Sequence, residues 1–242
     1  MAGQTDIVYT LDPASLDLLR RRDNVRVHSH TIPRTIQLKL NLADPLLAEH
    51  DTRLALSLAI DRSGLANGVL RVPGGEANQL VPPSLGDWHL NDLPAAQRDL
   101  PRARALLAAQ GWQAGADGLL QRNGTPFRLR LMTYADRPEL FQLATAIQAQ
   151  WRELGVDLQV TVVNSSDIPA GHHNGTLQVA LIARNYGNIA DPLGLLLADF
   201  GEGGNGDWGA MGWHNDELPA LLMAQQGERD AARYHERAQR VA

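Results

Sequence analysis

The chain contains no cysteine. Thiolate metal sites, a cysteine nucleophile and disulfides are therefore excluded, and the redox compartment cannot be read from it. An excess of positive charge is also lacking: 22 basic side chains face 27 acidic ones, a net charge of -5. No whole-domain basic field is available to hold a nucleic-acid backbone, and nucleic acid is not expected as a partner. Long apolar runs are missing too. Stretches such as Leu195-Leu196-Leu197-Ala198 fall far short of the ~20 residues needed to span a bilayer, and the N-terminus shows no basic-then-apolar signal. There is no internal repeat and no low-complexity tract. What remains, 44 % hydrophobic and 20 % charged residues over 242 positions, is the composition of a folded globular chain of one or two domains, large enough to bury its own core.

Hydrophobic spacing outlines the elements. Asp12-Pro13 reads as a helix start, with Leu16 and Leu19 on one stripe ahead of the Arg20-Arg21-Arg22 run. Val25 with Val27, and Ile36 with Leu38 and Leu40, read as two strands flanking Pro33. Leu54 to Arg62 reads as a helix, with Glu49 and Arg53 a surface pair four residues apart. Pro73-Gly74-Gly75, Pro82-Pro83 and Gly86 make residues 64–99 a long surface excursion. Asp99 caps a helix with Ala103, Leu106 and Leu107 inward and Gly111 at its end, and Asn123-Gly124 is a two-residue hairpin turn leading to Phe127, Leu129 and Leu131. The clearest unit starts at Asp136-Arg137-Pro138. Leu140, Leu143, Ala144, Ile147, Trp151 and Leu154 recur at helical spacing, Gly155 closes the helix, and Val156, Leu158, Val160 and Val162 alternate as a strand. Strand, helix and strand with short joints make a crossover between parallel strands. Leu177 to Ala183 is a near-continuous apolar run, the pattern of a strand covered on both faces. The fold class is α/β, a mixed sheet flanked by helices. Arg233 to Ala242 stops within helical sequence without a cap, so the chain is expected to be a fragment of a longer one.

Few residues point to chemistry. The glycine-rich stretch Gly201 to Gly206 lacks the Lys-Ser/Thr pair and following helix of a phosphate loop. His172-His173 has no third ligand at helical or hairpin spacing, and Ser165 and Ser166 lack a nucleophile elbow. No catalytic set assembles, so no enzyme activity, metal site or cofactor is expected. Arg184-Asn185-Tyr186-Gly187-Asn188, followed by Asp191-Pro192, leaves the carboxyl end of a buried strand, where open α/β sheets place ligands. Arg184, Asn185, Tyr186 and Asn188 are the candidate ligand-binding residues, and Tyr186 is expected to face a cleft. Asp191 doubles as a helix cap, and Trp208, Trp213 and His214 either cover the core or line a pocket.

Several of these segments, taken in order, resemble the extracytoplasmic solute-binding proteins of peptide, nickel and opine ABC transporters (family 5). They are Leu40-Asn41 with Arg53-Leu54-Ala55-Leu56-Ser57-Leu58-Ala59-Ile60-Asp61-Arg62, Val81-Pro82-Pro83, Asp99 with Ala103 to Leu107 and Gly111-Trp112, Asp117-Gly118 with Asn123-Gly124, Leu143-Ala144 through Leu154-Gly155-Val156, and Tyr186 with Asp191-Pro192. The resemblance implies a periplasmic-binding-protein-like (type II) lobe. Residues 35–242 would form the carboxyl-terminal solute-binding lobe and residues 1–34 a remnant of the amino-terminal lobe and hinge approach, so that half the interlobe cleft is absent.

It further implies a periplasmic or lipid-anchored extracytoplasmic monomer, without cofactor, that delivers a peptide or similar small polar solute to an ABC permease. Two departures bear on the solute. Peptide-binding members usually carry an Asp soon after the aromatic, whereas Tyr186 is followed by Gly187, Asn188, Ile189 and Ala190; the nickel branch often has a His after Asp-Pro, where this chain has Gly201 to Gly206 and His214 later. A nickel or metal-chelate binder, or the sensing domain of a transcription regulator, are the alternatives.

Overall fold

The computed structural model describes residues 5–9, 11, 13–187, 191–202 and 206–242. In chain order these form α1 (Pro13–Arg20), β1 (Arg34–Leu40), α2 (His50–Leu58), a single turn α3 (Arg62–Gly64) running into a π-helical turn (Leu65–Leu70), a 3-10 turn (Pro83–Trp88) and α4 (Leu100–Ala109). Then follow β2 (Gln113–Ala114), β3 (Leu120–Arg122), β4 (Thr125–Pro126), β5 (Arg128–Tyr134), α5 (Pro138–Leu154), β6 (Asp157–Val163), α6 (Asp167–His173), β7 (Val179–Asn185), α7 (Leu193–Phe200), α8 (Leu218–Gln225) and α9 (Ala231–Val241). The main sheet has the order β1-β7-β5-β6. β5 runs parallel to β6 and β7, while β1 is antiparallel to β7. The expected class, a mixed α/β sheet flanked by helices, is the one observed.

The β5-α5-β6 crossover forms as its pattern requires. The six residues of the α5 stripe, Leu140, Leu143, Ala144, Ile147, Trp151 and Leu154, are all buried, while Phe141 on the other side is exposed, and each large side chain so enclosed contributes about 1.5–3 kcal/mol. The Trp151 indole donates to the Leu56 carbonyl at 3.0 Å, which ties α5 to α2. Gly155, at φ 96°, ends the helix in the left-handed conformation that releases the chain into β6. Asp99 caps α4 through the Arg102 amide at 2.9 Å. Asn123 and Gly124, both at positive φ, make the hairpin turn, whose second strand is only Thr125–Pro126; Phe127 beyond it still donates its amide to Leu120 at 2.7 Å and stacks its ring on Trp112 at 4.4 Å.

Other expectations need correction. Residues 25 and 27 belong to an irregular approach to β1 and not to a strand, because they have no partner to pair with. Arg53 donates to the carbonyls of Leu47 and Ala48 and not to Glu49. The excursion over residues 64–99 is not all surface: Val81, Leu85 and Trp88 are buried. Proline and glycine mark where a chain turns, but whether the turn is covered depends on what folds over it. Here α7, α8 and α9 do so, enclosing a second cluster that includes Leu196, Leu222 and Tyr186.

The sheet therefore has two unlike faces. In register, opposed residues share a face. Ile36, Leu38 and Leu40 with Ala183, Leu181 and Val179 point toward the main core under α2, α4 and α5. Thr35, Gln37 and Lys39 with Arg184, Ile182 and Ala180 point the other way, so polar groups are carried toward the second cluster.

Candidate functional site

β5 and β7 are parallel, so their carboxyl ends reach the same edge, and β1, running antiparallel, begins there. This edge brings Arg34 opposite Asn185 in register. Arg137, the residue before α5, comes three positions after Tyr134, the last residue of β5. Arg34 is half-buried, and its Nε is enclosed without an acceptor. Among the described residues neither Arg34 nor Arg137 takes part in an ion pair. Burial, and then the neighbouring Arg137 guanidinium, pull the pKa of Arg34 below the usual arginine value, while Glu139 and Tyr134 act in the opposite sense. Asn185 accepts from the Gly187 amide at 3.0 Å through its side-chain oxygen, and its NH2 group is left at the edge.

The sequence candidates are distributed differently from expectation. Asn185 lies at the edge, as expected, and Asn188 lies outside the described residues. Tyr186 is 0 % exposed. This corrects the expectation that it faces a cleft: the ring belongs to the second core cluster, where α7, α8 and the 3-10 turn close over it, and burial pushes its hydroxyl pKa up. Its backbone amide donates to Pro33 at 2.7 Å. The Arg184 side chain is also turned inward and is engaged by Asp199 through two hydrogen bonds of 2.8 and 2.9 Å. Burial raises the Asp199 carboxyl above its ordinary range, and Arg184 opposes that rise. Asp191 accepts from the Leu193 amide at 2.8 Å, the cap expected of it.

Lys39, the sole lysine of the chain, is 5 % exposed. Its ammonium donates to the Asp207 carbonyl at 2.7 Å and to His172 Nδ1. Burial is the main reason that its pKa falls to about 8, and burial and then Lys39 lower that of His172. Lys39 and Gln37 border a cleft of about 510 Å³ beside β1, walled by Trp88, Phe200, Trp208 and Trp213 and reached by the end of α9. Trp208 and Trp213 thus line a pocket, whereas His214 is exposed beside Asp216. Among the described residues no group of three His, Cys, Asp or Glu side chains could hold a metal, and no helix is long and apolar enough to cross a membrane. Sequence reasoning missed Arg34, Arg137 and Lys39. The first two are separated by a hundred residues with no spacing signal, but a lone lysine inside an alternating strand was visible.

Comparison with known proteins agrees with this architecture. The profile of "Bacterial extracellular solute-binding proteins, family 5 Middle" matches residues 1–207. The chain is 31 % identical over 160 residues to the nickel-binding periplasmic protein of Escherichia coli (strain K12), covering 65 % of this chain and 30 % of that one. It is 24 % identical over 148 residues to the oligopeptide-binding protein AppA of Bacillus subtilis (strain 168), covering 60 % and 27 %. Among solved structures, NikZ from Campylobacter jejuni in complex with Ni(L-His) superposes with a TM-score of 0.79 at 17 % identity, covering 96 % of this chain and 46 % of that one. AppA from Bacillus subtilis in complex with a nonapeptide gives 0.76 at 17 % identity, with the same coverage. The chain spans less than half the length of each of these relatives.

Proposed function

The chain belongs to the bacterial extracellular solute-binding proteins of family 5, and on that premise we propose that residues 35–242 act as the carboxyl-terminal lobe of an ABC importer's solute receptor, with residues 1–34 belonging to the approach from the other lobe. The receptor works outside the cytoplasmic membrane, has no catalytic step, and delivers a peptide or similar small polar solute to a permease. The observation that carries this reading is the carboxyl edge of β5 and β7, where Arg34, with its enclosed Nε unpaired among the described residues, stands opposite Asn185. Open α/β sheets bind ligands at this kind of edge. Closing a second lobe over it would exclude water and strengthen each polar contact.

A nickel chelate is the second solute class, favoured by the 31 % identity to the Escherichia coli nickel-binding protein. Native mass spectrometry of the protein carrying both lobes, purified from its own host, should show a solute that is released on denaturation. Thermal shifts with tripeptides and with nickel-histidine then separate the two classes, since binding to the folded state alone stabilises it. Equal shifts for the two-lobed protein and for residues 1–242 alone would mean that this lobe holds the whole site and would overturn the two-lobe reading.

A further inference from the structure

We infer that the cleft beside β1 is a second ligand site and that it takes a small amphipathic carboxylic acid, with the carboxylate against Lys39 and Gln37 and the apolar body against Phe200, Trp208 and Trp213. β1 runs away from the edge where Arg34 stands, and Lys39, five residues further on, lies about 16 Å from it at the usual rise of a strand. A ligand here is additional to the interlobe solute and does not depend on the solute-receptor reading.

Lysine is almost never enclosed unless its charge is paired. Lys39 is 5 % exposed, yet no carboxylate touches its ammonium among the described residues: its acceptors are the Asp207 main-chain carbonyl at 2.7 Å and His172 Nδ1. The charged groups that act on it are Asp199 and Asp207, with Arg184 in the opposite sense. Asp199 is committed to Arg184 from β7, and Asp207 to His173 from α6. An ammonium has three protons to donate. Two are used, and the third has no acceptor among the described residues. Gln37, two residues earlier on the strand, lies on the same face. Its side-chain oxygen is reached by the Tyr186 hydroxyl only at 3.5 Å, and its NH2 group likewise has no acceptor among the described residues. Both side chains line the cleft, whose other walls are mainly apolar and whose volume of about 510 Å³ suits one small molecule. Trp213, its ring edge-on to Phe200, keeps 43 % of its surface exposed and is available to cover a tail. An ammonium and an amide at one place, with aromatic walls beyond, select an anion that carries an apolar tail. An amine would set a like charge beside Lys39, and a tailless anion would leave the rings uncovered.

Octanoate, octanamide and octylamine share a tail and differ in the head, and the sole lysine gives one set of side-chain resonances to follow in residues 1–242. Octanoate should shift the lysine ε-carbon resonance saturably. Octanamide should bind about tenfold more weakly through loss of a charge-assisted contact, and octylamine should not saturate. Acetate, which lacks the tail, should also bind at least about tenfold more weakly than octanoate. The lysine titrates at about 8 in the free chain; with octanoate bound its midpoint should rise toward the ordinary value, because a contacting carboxylate favours the ammonium. Lys39→Met should bring octanoate down to the affinity of octanamide. Gln37→Leu, which leaves the lysine in place, should weaken octanoate about fivefold. Equal binding of octanoate and octanamide, an unmoved lysine midpoint, or no saturable shift up to the solubility of octanoate would overturn the inference. So would loss of octanoate binding in the two-lobed protein, where the rest of the chain would then cover the cleft. Displacement of octanoate by a tripeptide or by nickel-histidine would assign the cleft to the solute itself and reject a second site, leaving solute capture standing.

Discussion

Arg184 and Asp199 meet through two hydrogen bonds, 2.8 and 2.9 Å long, beneath the polar face of the sheet, with side-chain exposures of only 15 % and 3 %. The pair joins β7 to α7 and makes Arg184 a structural group. Removing one partner strands the other charge. Asp199→Ala should therefore lower unfolding stability by roughly 3–5 kcal/mol, whereas the double change Arg184→Met with Asp199→Leu should recover most of the loss. Urea denaturation checks this; a loss below about 1 kcal/mol for the single change, the level of an exposed pair, would contradict it.

Tyr186 should behave as a core residue. Its hydroxyl reaches Gln37 only at 3.5 Å, so Tyr186→Phe should cost less than about 1 kcal/mol. Tyr186→Ala should cost roughly 3–5 kcal/mol through the cavity left under α7 and α8. Chemical denaturation of the two variants gives the comparison. A loss on Tyr186→Phe as large as that on Tyr186→Ala would show that the hydroxyl, and not the ring, is what matters.

Lys39 offers a pH signature that can be assigned without ambiguity because no other lysine exists. Its folded pKa, about 8, lies below the ordinary 10.5. Below about pH 8 both folded and unfolded chains carry the proton, and the burial cost is constant. Between there and the ordinary value the unfolded lysine keeps its proton and the folded one has lost it. The unfolded state then binds more protons, so this group's contribution to stability rises with pH. The difference in stability between the wild type and Lys39→Met should shift toward the wild type across that window, and the lysine side-chain nitrogen resonance should titrate near its lower end. An unperturbed titration near the ordinary value would refute the assignment.

Gly155 ends α5 at φ 96°, and a Cβ there would lie 2.9 Å from Leu120 Cγ and 3.2 Å from the Gly118 carbonyl. Gly155→Ala should cost at least about 1–2 kcal/mol, the left-handed penalty alone. The contact with β3 adds to it. Thermal melts of the two proteins test this, and an unchanged melting temperature would contradict it.

Much of the fold was legible because its signals are local. The α5 stripe from Leu140 to Leu154 repeats at the helical period, Gly155 and Asn123-Gly124 supply conformations that other residues resist, and Asp99 can satisfy the amide three residues on without help from elsewhere. The near-continuous apolar run of β7 also announced a strand covered on both sides, and β7 does lie inside the sheet. The order of the four strands was not legible, since it depends on which edge β1 finds.

The sequence by itself thus determined the element types, the crossover, the mixed α/β class and the segment, 184–187 among the described residues, that leaves the sheet at its carboxyl edge. Only the tertiary structure decided which side chains of that segment face outward. Alternation along β7 sends Arg184 and Asn185 to opposite faces, but whether a face is open or enclosed depends on elements far away in the chain. α7 brought Asp199 to Arg184 and, with α8, closed over Tyr186, while β1 and α5 delivered Arg34 and Arg137 to the edge beside Asn185. Secondary structure follows from backbone sterics and hydrogen bonding between near neighbours, which the local sequence carries. A binding edge is made by groups distant in sequence meeting in a packed core, and no spacing along the chain encodes that meeting.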